Sequence, residues 1–135
     1  MVDEQVFVRL RPWAFAALRI VAALIFMEHG TQKLFGFPAE PQGGYPPLLS
    51  LMWIGGVLEF GGGILLVLGL FTRPVAFVLS GMMAVAYWMF HAPESMFPLL
   101  NGGDAAILYC FVFLCIAVSG PGALSLDALR ARRRP

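Results

Sequence analysis

The chain has 135 residues, of which 59% are hydrophobic and 13% charged, and its formal net charge is +1. A soluble domain carries about 25% charged residues, so this composition excludes an ordinary water-soluble globule and points to a membrane protein. With so little net charge and no basic stretch interleaved with aromatics, nothing points to nucleic acid.

Met1 to Pro12 reads as a polar lead carrying Arg9 and Arg11, with Pro12 suited to the first turn of the following helix. Trp13 opens the first apolar run, residues 13–35. Residues 36–47, GFPAEPQGGYPP, pack four prolines and three glycines into a loop. The second run covers 48–71, and Thr72-Arg73-Pro74 makes a tight connection to the third, 75–92. A second Pro/Gly loop leads to the fourth run, 104–119, with Asp104 as its N-cap and Gly120-Pro121-Gly122 as its stop. The basic tail, 123–135, suits a short surface helix capped by Ser125.

Each run approaches the ~20 residues that a bilayer core demands, the fourth with help from Leu99 to Gly103. Only helices satisfy the backbone of separate spans in lipid. The expected fold is therefore all-α, one integral membrane four-helix bundle. Arg9, Arg11, Arg73, Arg130, Arg132, Arg133 and Arg134 fall on one side of it and Lys33 alone on the other. That asymmetry predicts N- and C-termini in the cytoplasm.

Polar residues inside such runs are costly and mark candidate sites. At about 100° per residue, Arg19, His29, Gly30 and Lys33 share one side of the first helix with Ala23 and Phe26, while Glu28 points elsewhere. Gly55, Glu59 and Gly63 share a face of the second, which turns Glu59 into the bundle from near mid-membrane. Tyr87 and His91 lie in the outer half of the third, on a face with Ser80 and Ala84. The plain alternatives are a Glu59–Arg19 pair that only holds helices together, and a His91 that is merely interfacial. Cys110 and Cys115 lie five apart on one helix, too divergent to bridge there, and read as small apolar residues. No metal, nucleotide or nucleophile motif is present.

Three functions could use this arrangement. A lipid-soluble quinone needs an apolar cleft with groups that bond its oxygens and move protons, which His, Tyr, Glu and Lys supply. A b-type haem held by His29 and His91 is a minor reading. A non-catalytic structural or assembly subunit that recruits a soluble redox partner is the alternative from another class. Homo-oligomerisation through the glycines fits any of them.

Four stretches carry a family resemblance: R-x9-H-G-x-x-K (Arg19, His29, Gly30, Lys33), EFGGGILLVLGLFTR (Glu59 to Arg73), NGGDAAILY (Asn101 to Tyr109) and SGPGALSLD (Ser119 to Asp127). Together they resemble the DoxX family of small four-helix membrane proteins, over nearly all of the chain after Pro12. The resemblance implies a component of a quinone-linked oxidoreductase system, multi-pass in the bacterial cytoplasmic (inner) membrane and working with a redox partner protein. Carried over by position, it makes Arg19, His29, Lys33 and Glu59 the candidate catalytic residues. His91 and Tyr87 enter as cofactor-binding candidates on the depth argument alone.

Overall fold

The computed structural model describes residues 3–133; Arg134, part of the basic tail, lies outside the described residues. The fold is helical, with no strand among the described residues. Helix α1 spans Glu4–Phe35, α2 Leu51–Leu68, α3 Thr72–Ala86, α4 Pro98–Asn101, α5 Asp104–Ser119 and α6 Leu126–Arg132. Past Ala86, α3 continues through Tyr87–His91 as a widened π-helical turn. Glu4–Phe35, Leu51–Leu68 and Thr72–His91 are each long and apolar enough to cross a membrane. At 16 residues α5 is shorter, and α4 stands before it as a separate turn within the loop where an extension was expected.

The boundaries follow local chemistry. α1 begins nine residues before the expected Trp13, because the Asp3 side chain caps it by accepting from the Gln5 amide at 3.0 Å. Pro12 thus lies inside the helix. The turn before it is exposed, where the carbonyl stranded by the missing N–H can be solvated. Gly36, at φ 68°, ends α1 in the left-handed conformation and donates to Gln32 O at 3.1 Å. Ser50 caps α2 by accepting from Trp53 N, and Gly69 at φ 63° closes it. α3 starts at Thr72, three residues before the expected Val75, since a cap arrives from far along the chain. Asp127 accepts from the amides of Phe71 (3.0 Å) and Thr72 (2.8 Å). α5 keeps its expected limits, but Gly103 occupies the cap position and Asp104 is the first helical residue. The Ser125 cap of α6 is present, accepting from Ala128 N at 3.1 Å.

α1 packs chiefly on α2, and α3 on α5, while α2–α3 and α1–α5 contacts are sparser. The bundle is thus two antiparallel pairs laid together. Where they meet, Phe26, Leu66, Leu79, Phe113 and Ile116 are fully buried, and the Phe26 and Phe113 rings meet edge to face at 4.8 Å. Of the expected stripe on α1, Arg19, Ala23, Phe26 and Gly30 are buried, together with Ala16, while Lys33 is half-buried and His29 is exposed. On α2 the close approach belongs to Gly56, not Gly55. A Cβ on Gly30 would stand 2.8 Å from Gly56 O and 2.6 Å from Phe60 N, and Gly63 abuts Met27. Nothing lies within 4 Å of a Cβ built on Gly55. These glycines serve an internal contact between α1 and α2, where small residues let backbones meet.

Candidate functional site

The motif residues fall into two groups at opposite ends of the bundle. At the end carrying both termini, Arg19 is completely buried and its guanidinium is spent on backbone carbonyls. Nε donates to Pro121 O at 2.9 Å. One terminal nitrogen donates to Leu66 O and to Val67 O, the other to Leu124 O (2.9 Å) and Ala123 O. Leu66 and Val67 belong to the last turn of α2, whose carbonyls have no onward helical partner and form the negative end of the helix dipole. Arg19 therefore ties the end of α2 to the SGPGALSLD segment. That segment is held from two further sides, by Ala123 N donating to Pro12 O at 2.9 Å and by Asp127 N donating to Gly69 O at 2.9 Å. Arg73 donates to Ala117 O at 2.9 Å and to Val118 O, closing the end of α5 in the same way. Burial pushes the Asp127 carboxyl up, but the amides of Thr72 and Phe71 and the Arg130 charge outweigh this and hold it below the ordinary carboxylate range.

Glu59 has a different partner from the Arg19 considered from sequence. Its Oε1 meets Lys33 Nζ at 2.6 Å, the one ion pair among the described residues. Gly30 makes this geometry by letting α1 settle onto Gly56 and Glu59, so that the Lys33 stem runs along α2. The Glu59 side chain is 5% exposed, and its second oxygen, Oε2, is buried with no hydrogen-bond partner. A buried carboxylate oxygen left unsatisfied is costly and calls for explanation.

Glu59 lines a cavity of about 460 Å³ between the two helix pairs, toward the end that carries the long loops. His29, Lys33 and His91 line it as well, with Phe26, Met83 and Tyr109 among the apolar wall. Its rim includes Ile54 and Leu58 of α2 and Val85 and Phe90 of α3, all exposed on the outer surface of the bundle. In a bilayer that mouth opens toward acyl chains. The π-helical turn brings His91 to the wall, and its Nδ1 lies 3.0 Å from Asn101 O. Widened turns of this kind recur at functional sites.

Of the sequence candidates, His29, Lys33, Glu59 and His91 thus share one cavity, and Arg19 lies apart from it. Tyr87 sits behind the wall, its ring stacked on His91 with centroids 6.3 Å apart and its hydroxyl 3.4 Å from Asn101 Nδ2. Glu28 is exposed. Ser80 bridges α3 to α5 by donating to Cys110 O at 2.7 Å, and both cysteines are free. No group of three or more potential metal ligands occurs among the described residues. Tyr109 joins the site without being among the candidates from sequence. It packs on Phe26 at 5.0 Å and meets His29 edge-on at 6.2 Å. Its signal was its place as the last residue of NGGDAAILY, at the depth of His29.

The chain is 45% identical to an uncharacterized protein of Haemophilus influenzae over 88% of its own length and 92% of the relative's. It is 34% identical to the inner membrane protein YphA of Escherichia coli, covering 87% of this chain and 90% of that one. It is 31% identical to the inner membrane protein YqjF of the same organism, covering 82% and 87%. No solved structure matches it. The DoxX family profile matches residues 14–92, from the start of the buried stripe on α1 to the end of the π-helical turn. With its apolar spans and its inner-membrane relatives, the chain is a multi-pass protein of the bacterial inner membrane and belongs to the DoxX family.

Proposed function

We propose that the chain is the quinone-binding membrane component of an oxidoreductase system, with its termini in the cytoplasm and a separate redox partner protein. The carrying observation is Glu59 Oε2, a buried and unpartnered carboxylate oxygen on the wall of an apolar cavity whose mouth faces lipid. Small-molecule sites have this character, with apolar walls and a few convergent polar groups. The wall fits such a headgroup: Phe26, Met83 and Tyr109 suit a flat ring, Lys33 can donate to a ligand oxygen, and Glu59 and His91 suit the protons that its chemistry moves. When bound, such a group supplies two-electron, two-proton chemistry in a carrier that diffuses within the bilayer.

The chain's own contribution is binding and proton handling. Lys33 has N–H groups beyond the one given to Glu59 and can hold a ligand oxygen. Glu59 Oε2 can hold a proton next to the ammonium. His91, backed by Asn101 at the loop end, stands between the cavity and the outer surface and suits exchange of that proton with water. The arginine-rich end, which holds Arg9, Arg11, Arg73, Arg130, Arg132 and Arg133, supports the cytoplasmic assignment of the termini.

Titration of the purified protein in lipid nanodiscs with a decyl-substituted benzoquinone tests the proposal. Saturable binding at one site per chain is expected, weakened about tenfold in Lys33→Gln through the loss of the charged donor to the quinone oxygens. Absence of saturable binding to the wild-type protein overturns it.

A further inference from the structure

The polarity of the cavity's hydrogen-bonding groups distinguishes between the two forms of such a ligand. The ion pair with Lys33 occupies Glu59 Oε1, and an ionised carboxylate can only accept hydrogen bonds. The remaining oxygen, Oε2, is therefore a buried acceptor without a donor. Half-buried His91 offers a second acceptor by a different route. Its Nδ1 faces the carbonyl of Asn101 at 3.0 Å, and a carbonyl only accepts, so Nδ1 carries the proton. In the neutral imidazole Nε2 is then the acceptor, and it makes no hydrogen bond among the described residues. Glu59 of α2 and His91 from the end of α3 line one cavity, and each carries an acceptor that no donor fills among the described residues.

A quinone brings only acceptors, so its oxygens would set lone pair against lone pair at both places. A quinol brings two O–H donors, one at each end of the ring. Lys33 can serve either form and does not discriminate. Resting on the quinone reading above, we infer that the cavity selects the quinol form, with Glu59 Oε2 and His91 Nε2 as the residues that set the preference. Specificity of this kind comes as much from the mismatched acceptors that a quinone would meet as from the bonds that a quinol makes.

Three probes of one shape test this in nanodiscs at pH 8 without oxygen: a decyl-substituted benzoquinol, the matching benzoquinone, and the dimethyl ether of the quinol, which keeps the ring and lacks O–H. Equilibrium dialysis and thermal shift are read in parallel. The quinol is expected to bind at least tenfold more tightly than the other two. A tenfold preference corresponds to a rise of about 30 mV in the midpoint of the bound two-electron couple. His91→Phe should lower quinol affinity and raise quinone affinity, and Glu59→Gln should bring the quinol-to-quinone ratio toward one. The three-probe comparison needs only the wild-type protein, so it stands even if a variant misfolds. Quinone or ether binding as tightly as quinol overturns the preference while leaving the quinone reading in place. No saturable binding of any probe overturns both.

Discussion

Arg19→Met separates the two ends of the molecule most directly. The side chain is 0% exposed, and its guanidinium donates to five carbonyls, those of Leu66, Val67, Pro121, Ala123 and Leu124. Methionine fills much of the same volume, so the change removes donors rather than packing. Each buried carbonyl left unpaired costs about 1–3 kcal/mol. Leu66 O also accepts from Gly69 N at 3.1 Å and would be spared. Because the costs are not additive and water can enter at a bundle end, the expected destabilisation is about 3–5 kcal/mol, below the full sum for the four carbonyls left unpaired. Arg19→Lys should recover little, since an ammonium cannot span carbonyls on two separate segments as the planar fork does. The assay is reversible unfolding in mixed detergent micelles, followed by tryptophan fluorescence, with quinone binding measured on the folded fraction. A loss of stability with unchanged affinity is the expected pair of results. A variant as stable as wild type that no longer binds would refute the structural role and return Arg19 to the ligand site.

Other expectations follow from local geometry. Gly30→Ala would drive a Cβ to 2.6 Å from Phe60 N and should separate α1 from α2 at a cost of about 1–3 kcal/mol. Gly61→Ala meets nothing within 4 Å and should be neutral or stabilise by up to about 1 kcal/mol, an internal control read in the same unfolding assay. Asp127→Ala removes the cap of α3 at Phe71 and Thr72 and should cost about 1–2 kcal/mol. Because folding lowers the pKa of Asp127, its contribution is fully present above the unfolded value of about 3.9 and is lost as pH falls through the folded value. Acid titration of stability should therefore show a loss below about pH 4 that is smaller in Asp127→Asn.

Periodicity and composition made much of the bundle legible. The buried stripe on α1 was readable because residues three and four apart share a helix face whatever they touch. The limits of α5 were readable because Gly120-Pro121-Gly122 ends a helix locally. The start of α3 was not, since its cap comes from Asp127, 55 residues beyond Thr72. The start of α1 was not, because a proline that suits a first helical turn is also tolerated inside a helix whose preceding turn is exposed. On α2, Gly55 and Gly56 are both small, and only the real crossing with α1 shows which of them meets Lys33 and Leu34.

By itself the sequence determined that this chain spans the membrane as helices and that polar groups are concentrated on α1, α2 and α3. Charge content and the length of apolar runs are properties of a linear string, and lipid leaves the backbone few choices. Pairing was decided only in three dimensions. Arg19 and Lys33 lie on the same side of one helix, but the rise along α1 puts them about 21 Å apart, one beside the last turn of α2 and the other beside its middle. Each takes what that part of α2 offers. Arg19 finds the carbonyls of Leu66 and Val67 in its last turn, and Lys33 finds Glu59 beside the glycine that brings the two helices together.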